Sequence, residues 1–207
     1  DGTPFTADFS VDFVDTVRRE QNVMYWLKAP GPDSIERWFF YTFVQGDEHD
    51  DGGGTPKAFS IHVPAPTSNG TLTISMAGQT AAAHSVEVVA NGATATVYWS
   101  GIAYYEATLD NVPLFADNNT VTLQCLSTDG NDSIAVDYFE ITYRRDYVAG
   151  VDGTLKFSPD NGSRYVIEGF LTNSVSAYDI SDPTDVMRIG GTVISGPDGD
   201  GKYSIYF

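Results

Sequence analysis

The sequence predicts an all-β protein, a jelly-roll-like β-sandwich with an additional β segment at its C-terminal end. Three observations predict it. Short runs rich in β-branched and aromatic residues recur along the chain, separated by Gly, Asn, Asp and Pro. Helical periodicity is nearly absent. The segment 136–145, VDYFEITYRR, carries apolar and aromatic residues at both odd and even positions, as a buried strand near the middle of a sandwich does. On strict alternation Val136, Tyr138, Glu140 and Thr142 share one face, and Asp137, Phe139, Ile141 and Tyr143 share the other.

The elements follow in chain order. VDFVDTVRRE (11–20) fits a turn or two of helix and also alternates like a strand. Strands are predicted at 22–29, 36–44, 57–63, 70–76, 85–90 and 93–99. Within 36–44 the aromatic run places Trp38 in the core, and within 57–63 His62 shares a half-exposed face with Ser60. Asn91-Gly92 separates two of these runs and predicts a type I′ hairpin, since both residues tolerate the positive φ that turn requires. Further strands are predicted at 103–109, 119–126 and 134–143. QGDEHDDGGGTP (45–56) reads as a polar, glycine-rich loop. Beyond Arg145, short strands are predicted at 154–158, 164–170, 174–179, 186–194 and 202–207, with turns at 159–162, 181–183 and 196–199. The expected organisation is a jelly-roll sandwich over 1–146 and a β segment over 147–207, packed on it or forming a small subdomain.

Composition bounds the function. The chain of 207 residues is 42% hydrophobic and 13% aromatic, enough to build a core. Its 28 acidic and 11 basic residues give a net charge of -17, which repels nucleic acid and anionic lipid. No apolar run approaches the roughly 18 residues of a membrane span. The chain opens at DGTPFTADF and reads as an internal segment, with any targeting signal upstream.

The inventory is poor in reaction centres. Cys125 is the only cysteine, so no intramolecular disulfide or thiolate cluster forms; in TVTLQCLST it reads as a buried, inert thiol. The histidines, His49, His62 and His84, are not read as its partners. Acidic pairs for glycoside hydrolysis arise by chance among so many carboxylates, and a sandwich of this size lacks the deep cleft that distorts a sugar ring. Three loops are candidate calcium ligands because hard cations take carboxylate and carbonyl oxygens. They hold Asp47, Glu48, Asp50 and Asp51; Asp129, Asn131 and Asp132; and Asp198 and Asp200. Aromatic side chains are the other candidate. Trp99, Tyr104 and Tyr105, with Tyr98 beside the Ser100-Gly101 bend and with Trp26 and Trp38, would offer flat surfaces to a glycan. Tyr104 and Tyr105 point to opposite faces, so only one of them joins a given platform. The sequons at Asn69, Asn118, Asn131 and Asn161 are read as turn residues.

Ordered blocks extend the reading. Glu36-Arg37-Trp38-Phe39-Phe40, HSVEVVANG (84–92), NNTVTLQC (118–125), VDYFEITYRR (136–145), TLKF (154–157) and VIEGFLTNSVSAYDISDP (166–183) occur in sequence. Together they resemble the β-sandwich region upstream of the catalytic domain in gingipain-like cysteine peptidases and related secreted multidomain surface proteins. The resemblance covers about Arg18 to Asp182 and implies a galactose-binding-domain-like sandwich preceding a caspase-like catalytic fold. It carries over no catalytic residue, because Cys125 lies within a sandwich strand. It implies a non-catalytic accessory or pro-region-like module, bacterial and extracellular or at the cell surface, packing against neighbouring domains of the same polypeptide. The alternative is a carbohydrate-binding module, with Ca2+ as a stabilising ion.

Overall fold

The computed structural model describes residues 9–31, 36–44, 54–127, 132–159, 164–190, 192–197 and 199–207. The chain divides into two compact units: Asp15–Arg144, and Asp1–Val14 with Arg145–Phe207. The sequence placed the division between 146 and 147; in the fold the residues up to Val14 group with the C-terminal part.

The larger unit is a jelly-roll-like β-sandwich. Its strands are β1 (Asp12–Glu20), β2 (Met24–Tyr25), β3 (Trp38–Phe39), β4 (Tyr41–Val44), β5 (Lys57–Val63), β6 (Gly70–Gly78), β7 (Ala83–Ala90), β8 (Ala93–Ser100), β9 (Tyr104–Val112), β10 (Asp117–Cys125) and β11 (Ser133–Asp146). The first segment, ambiguous in sequence, is therefore a strand. One sheet runs β1-β11-β6-β9, with β4 also paired to β11; the other runs β5-β10-β7-β8. The alternation of KAFSIHV sends Phe59, Ile61 and Val63 inward, where they meet Val86 and Val88 of β7, Leu72 and Ile74 of β6, and Phe139 and Ile141 of β11. Burying each such side chain contributes about 1.5–3 kcal/mol, so this interior is the main source of stability. His62 points outward and is exposed. Asn91 and Gly92 have φ of 48° and 93°, and the hairpin they form pairs Ala90 with Ala93.

The alternation expected along β11 breaks once. Val136 pairs with Met76 and Tyr138 with Ser75, leaving Asp137 as the extra residue of a β-bulge. The bulge shifts parity. Ile134 and Val136 face the core before it; Phe139, Ile141 and Tyr143 face it afterwards. Val136 thus shares the core face with Phe139, not the outer face with Tyr138, and the doubly apolar pattern of the sequence has a local cause.

The smaller unit contains β12 (Val166–Phe170), β13 (Tyr178–Asp179), β14 (Met187–Arg188), β15 (Val193–Ser195) and β16 (Tyr203–Tyr206). They form a β12-β16-β15 sheet and a β13-β14 hairpin. Its core gathers Phe13, Tyr147, Tyr165, Ile167, Phe170 and Ile205. The segment 154–158 is not a strand; Leu155 and Phe157 still pack half-buried on that core. The predicted strand 174–179 shrinks to β13, and 186–194 splits into β14 and β15.

Candidate functional site

The short β2–β3 hairpin carries the most exposed aromatic pair in register. Met24 pairs with Phe39, and Tyr25 with Trp38. The amides of Val23 and Trp26 donate to the carbonyls of Phe39 (3.1 Å) and Arg37 (2.9 Å), extending the pairing beyond the strand limits. Side chains alternate along 23–27. Met24 and Trp26 turn inward with Phe39 and Ala29, where they pack on Ala77, Ala135 and Tyr104. Ala77 and Ala135 point away from the main core, so this seat lies on the outer surface of the five-stranded sheet, where small side chains leave room for the hairpin. Val23, Tyr25 and Leu27 turn outward and are exposed.

Trp38 joins that outward face. Its sequence placement in the core is corrected: it is 40% exposed, beside Tyr25 at 49%. A bend at Phe40 explains the change. Phe39 points into the small core between the hairpin and the sheet, Phe40 into the main one, and Trp38 is left opposite Phe39. The Tyr25 and Trp38 rings lie 5.1 Å apart at 56°, an angled two-ring surface. Glu36 anchors it from below. Its Oε1 accepts from the backbone amides of Arg37 (3.1 Å) and Trp38 (3.0 Å), and its carbonyl accepts from the Tyr104 hydroxyl at 2.7 Å. Gln21, Asn22 and Lys28, all exposed, flank the pair along the chain.

Asp137 lies beside this seat, on the bulge. It is 6% exposed; its Oδ2 accepts from the Ser75 hydroxyl at 3.1 Å, and its Oδ1 is buried with no partner. Burial pushes its carboxyl up to about 6; the Ser75 hydrogen bond opposes this, and the charges of Glu20 and Glu36 add to it.

A second polar cluster closes one end of the sandwich. His84 Nδ1 lies 2.6 Å from Asp132 Oδ1, and His84 Nε2 lies 3.1 Å from the Gly101 carbonyl. The Cys125 thiol donates to Asp132 Oδ2 at 3.6 Å. Both ring nitrogens face oxygen atoms, one of a carboxylate and one of a backbone carbonyl. Cysteine, carboxylate and imidazole thus meet, yet none is open to solvent. Burial pushes the Cys125 thiol up to about 11, with Asp132 adding to it, so the sulfur keeps its proton at neutral pH and is no nucleophile.

The remaining sequence candidates fall as follows. Trp99 and Tyr105 are half-buried, stacked at 5.1 Å and 4°, and pack on the main core; Trp99 also lies against His84. Tyr104 is spent on the hairpin seat, on the other side of the sheet. Tyr98 is exposed on β8. Asp132 is enclosed with both oxygens bonded, and Asp200 is exposed beside Lys202 at 3.4 Å. Asp47, Glu48, Asp50, Asp51, Asp129, Asn131 and Asp198 lie outside the described residues. Among the described residues no three His, Cys, Asp or Glu side chains gather as a metal centre. Sequence reasoning missed Tyr25. Apolar residues at every position from 23 to 27 leave no contrast to mark an outward face.

No family model matches the chain, and no curated protein matches it. Among solved structures it is similar to a carbohydrate-binding module CBM36 in complex with calcium and xylotriose, at 17% identity and a TM-score of 0.40, covering 61% of this chain and 98% of that one. It is also similar to the CBM35 from Cellvibrio japonicus Abf62, at 19% identity and a TM-score of 0.42, covering 70% and 99%. A third is the Podospora anserina GH26-CBM35 β-(1,4)-mannanase, at 20% identity and a TM-score of 0.41, covering 62% and 27%.

Proposed function

We propose that the chain is a non-catalytic, extracellular carbohydrate-binding module whose platform is the Tyr25–Trp38 pair. The observation that carries the reading is this exposed cross-strand pair, presented by a hairpin whose other side packs on Ala77 and Ala135 of the sheet. Aromatic faces cover the C–H face of a sugar ring, and flanking amide, carboxylate and ammonium groups bond its hydroxyls. The net charge of -17 favours neutral over anionic glycans. Affinity electrophoresis in soluble xylan, mannan, β-glucan and galactan tests it. The wild type is expected to be retarded in at least one gel, and Trp38→Ala to bind about tenfold more weakly, a loss of about 1.4 kcal/mol. Unfolding of that variant should move by less than about 1 kcal/mol, since Trp38 is a surface residue. Free migration in all four gels, or undiminished retardation of Trp38→Ala, defeats the reading.

A second reading, packing against a neighbouring domain, draws on the β13–β14 hairpin, where Tyr178, Ile180, Val186 and Met187 are all exposed. The peptidase-type setting belongs to this reading. The reading frame beyond Phe207 tests it, since a His and Cys catalytic domain is expected there.

A further inference from the structure

We infer that Asp137 is a proton-operated latch for the Tyr25–Trp38 hairpin: a protonated carboxyl seats the hairpin on the sheet, and an ionised one loosens it. The latch itself stands on geometry; only its effect on glycan binding rests on the platform reading.

Asp137 sits at the bulge, two residues from Ala135, and Ala135 with Ala77 and Tyr104 forms the surface on which the hairpin packs. Its Oδ1 is enclosed and has no donor. An ionised carboxylate there is a buried charge with a single hydroxyl partner, whereas a protonated one carries no charge and supplies a donor of its own. The facing groups do not neutralise it. From β1 come Arg18 and Glu20; from the entry to β3, Glu36 and Arg37; from β9, Tyr104 and Glu106; and β11 itself adds Tyr138 and Glu140. Two cations are among them: Arg37 donates to the Leu27 carbonyl across the hairpin, and Arg18 is engaged with other partners. It pairs with Glu140 at 2.8 Å and Glu20 at 3.6 Å, and lies 3.8 Å over the Tyr138 ring. Glu36 is the mechanical link, because its side chain and carbonyl tie the backbone of the hairpin to Tyr104. Negative charge on Asp137 opposes Glu36 at the point where the hairpin is fastened.

The direction follows from linkage. Asp137 in the seated state titrates near 6, against an ordinary 3.8. The seated hairpin therefore holds the proton more tightly than a lifted one, so seating is strongest below about pH 4, weakens as pH rises through about 6 and levels off above that. If lifting hydrates the carboxyl fully, opening becomes roughly tenfold more frequent between about pH 5 and about pH 8.

Hydrogen exchange by NMR reads this first at the amide of Trp26, whose acceptor is Arg37 across the hairpin, and also at that of Val23, which is shared between Phe39 across the hairpin and Gln21 beside it. In the wild type their protection factors should fall roughly tenfold over that range, while amides of β7 and β10 stay constant. In Asp137→Asn the two amides should show no pH dependence. In Glu36→Gln the midpoint should drop, which keeps the test open if Asp137→Asn folds poorly. Flat protection in the wild type, or the same pH response in wild type and Asp137→Asn, overturns the latch. Retardation in the four polysaccharide gels at both pH values separates the two proposals. Responsive amides without retardation leave the latch and remove the platform; retardation with flat amides does the reverse.

Discussion

Asp132 and Asp137 are both carboxylates enclosed by the sandwich, 0% and 6% exposed, and the fold treats them in opposite ways. Asp132 has an imidazole on one oxygen and a thiol on the other. Asp137 has one hydroxyl on one oxygen and nothing on the other. Burial is common to both; partner supply is not. A charge inside a protein is tolerated when every lone pair is met, and is costly when one is stranded. The first aspartate therefore acts as a fixed crosslink between His84 on β7 and Cys125 at the end of β10. The second is held poised between two protonation states.

The contrast is broken most severely at Asp132. Asp132→Asn keeps the shape and removes the carboxylate that His84 and Cys125 share. Asp132 accepts from the imidazole on one oxygen and the thiol on the other. Hydrogen bonds to a buried carboxylate are worth about 1.5–3 kcal/mol each, so urea unfolding should show a loss of about 3 kcal/mol. Because the role assigned is hydrogen bonding and not ion ligation, millimolar calcium should not restore it relative to a chelator. A loss under about 1 kcal/mol, or recovery with calcium, would return Asp132 to the ligand set expected from its loop. Cys125 supplies a parallel readout: iodoacetamide should label it only as the protein unfolds, and earlier in Asp132→Asn than in the wild type.

Gly78 is a smaller lever on the same cluster. A Cβ there would collide with the His84 ring at Nε2 and come within 2.5 Å of the Gly101 carbonyl. Those are the two groups joined by the second imidazole hydrogen bond. Gly78→Ala should cost about 1–3 kcal/mol, the usual range for overpacking a filled interior. If thermal melting shows no loss, the His84–Gly101 bond is not a fixed part of the structure.

Local chemistry was legible in the sequence, and long-range partnership was not. Asn91-Gly92 announces its turn because positive φ is a property of two adjacent residues. Phe59, Ile61 and Val63 announce their face because exposed residues stand between them. Cys125 could be placed inside by its strand, but not joined to His84, which lies 41 positions away, through an aspartate that looked like part of a turn. Trp38 and Tyr25 were hidden by neighbours as apolar as themselves. The bulge at Asp137 was unreadable for a related reason. Alternation was assumed across it, and a single unpaired residue reverses the parity of all that follows.

The smallest predicted effect runs against the usual direction. Asp137→Asn removes an unpaired buried charge and keeps a group that still accepts from Ser75 and adds donors of its own. Above about pH 7 it should stabilise the protein by about 1 kcal/mol, since the wild type there carries the full penalty of an ionised, half-satisfied carboxylate. The advantage should shrink as pH falls. A group whose folded-state pKa is raised, here to about 6 from 3.8, contributes most to stability below the lower value and loses that contribution as pH rises through the higher one. Wild type and variant should therefore differ most at neutral pH and converge between about pH 6 and pH 4 in parallel urea titrations. Asp132→Asn offers the opposed control, destabilising at neutral pH where Asp137→Asn stabilises. If both substitutions destabilise at neutral pH, Oδ1 of Asp137 has a partner in solution, and the difference between the two aspartates is one of degree.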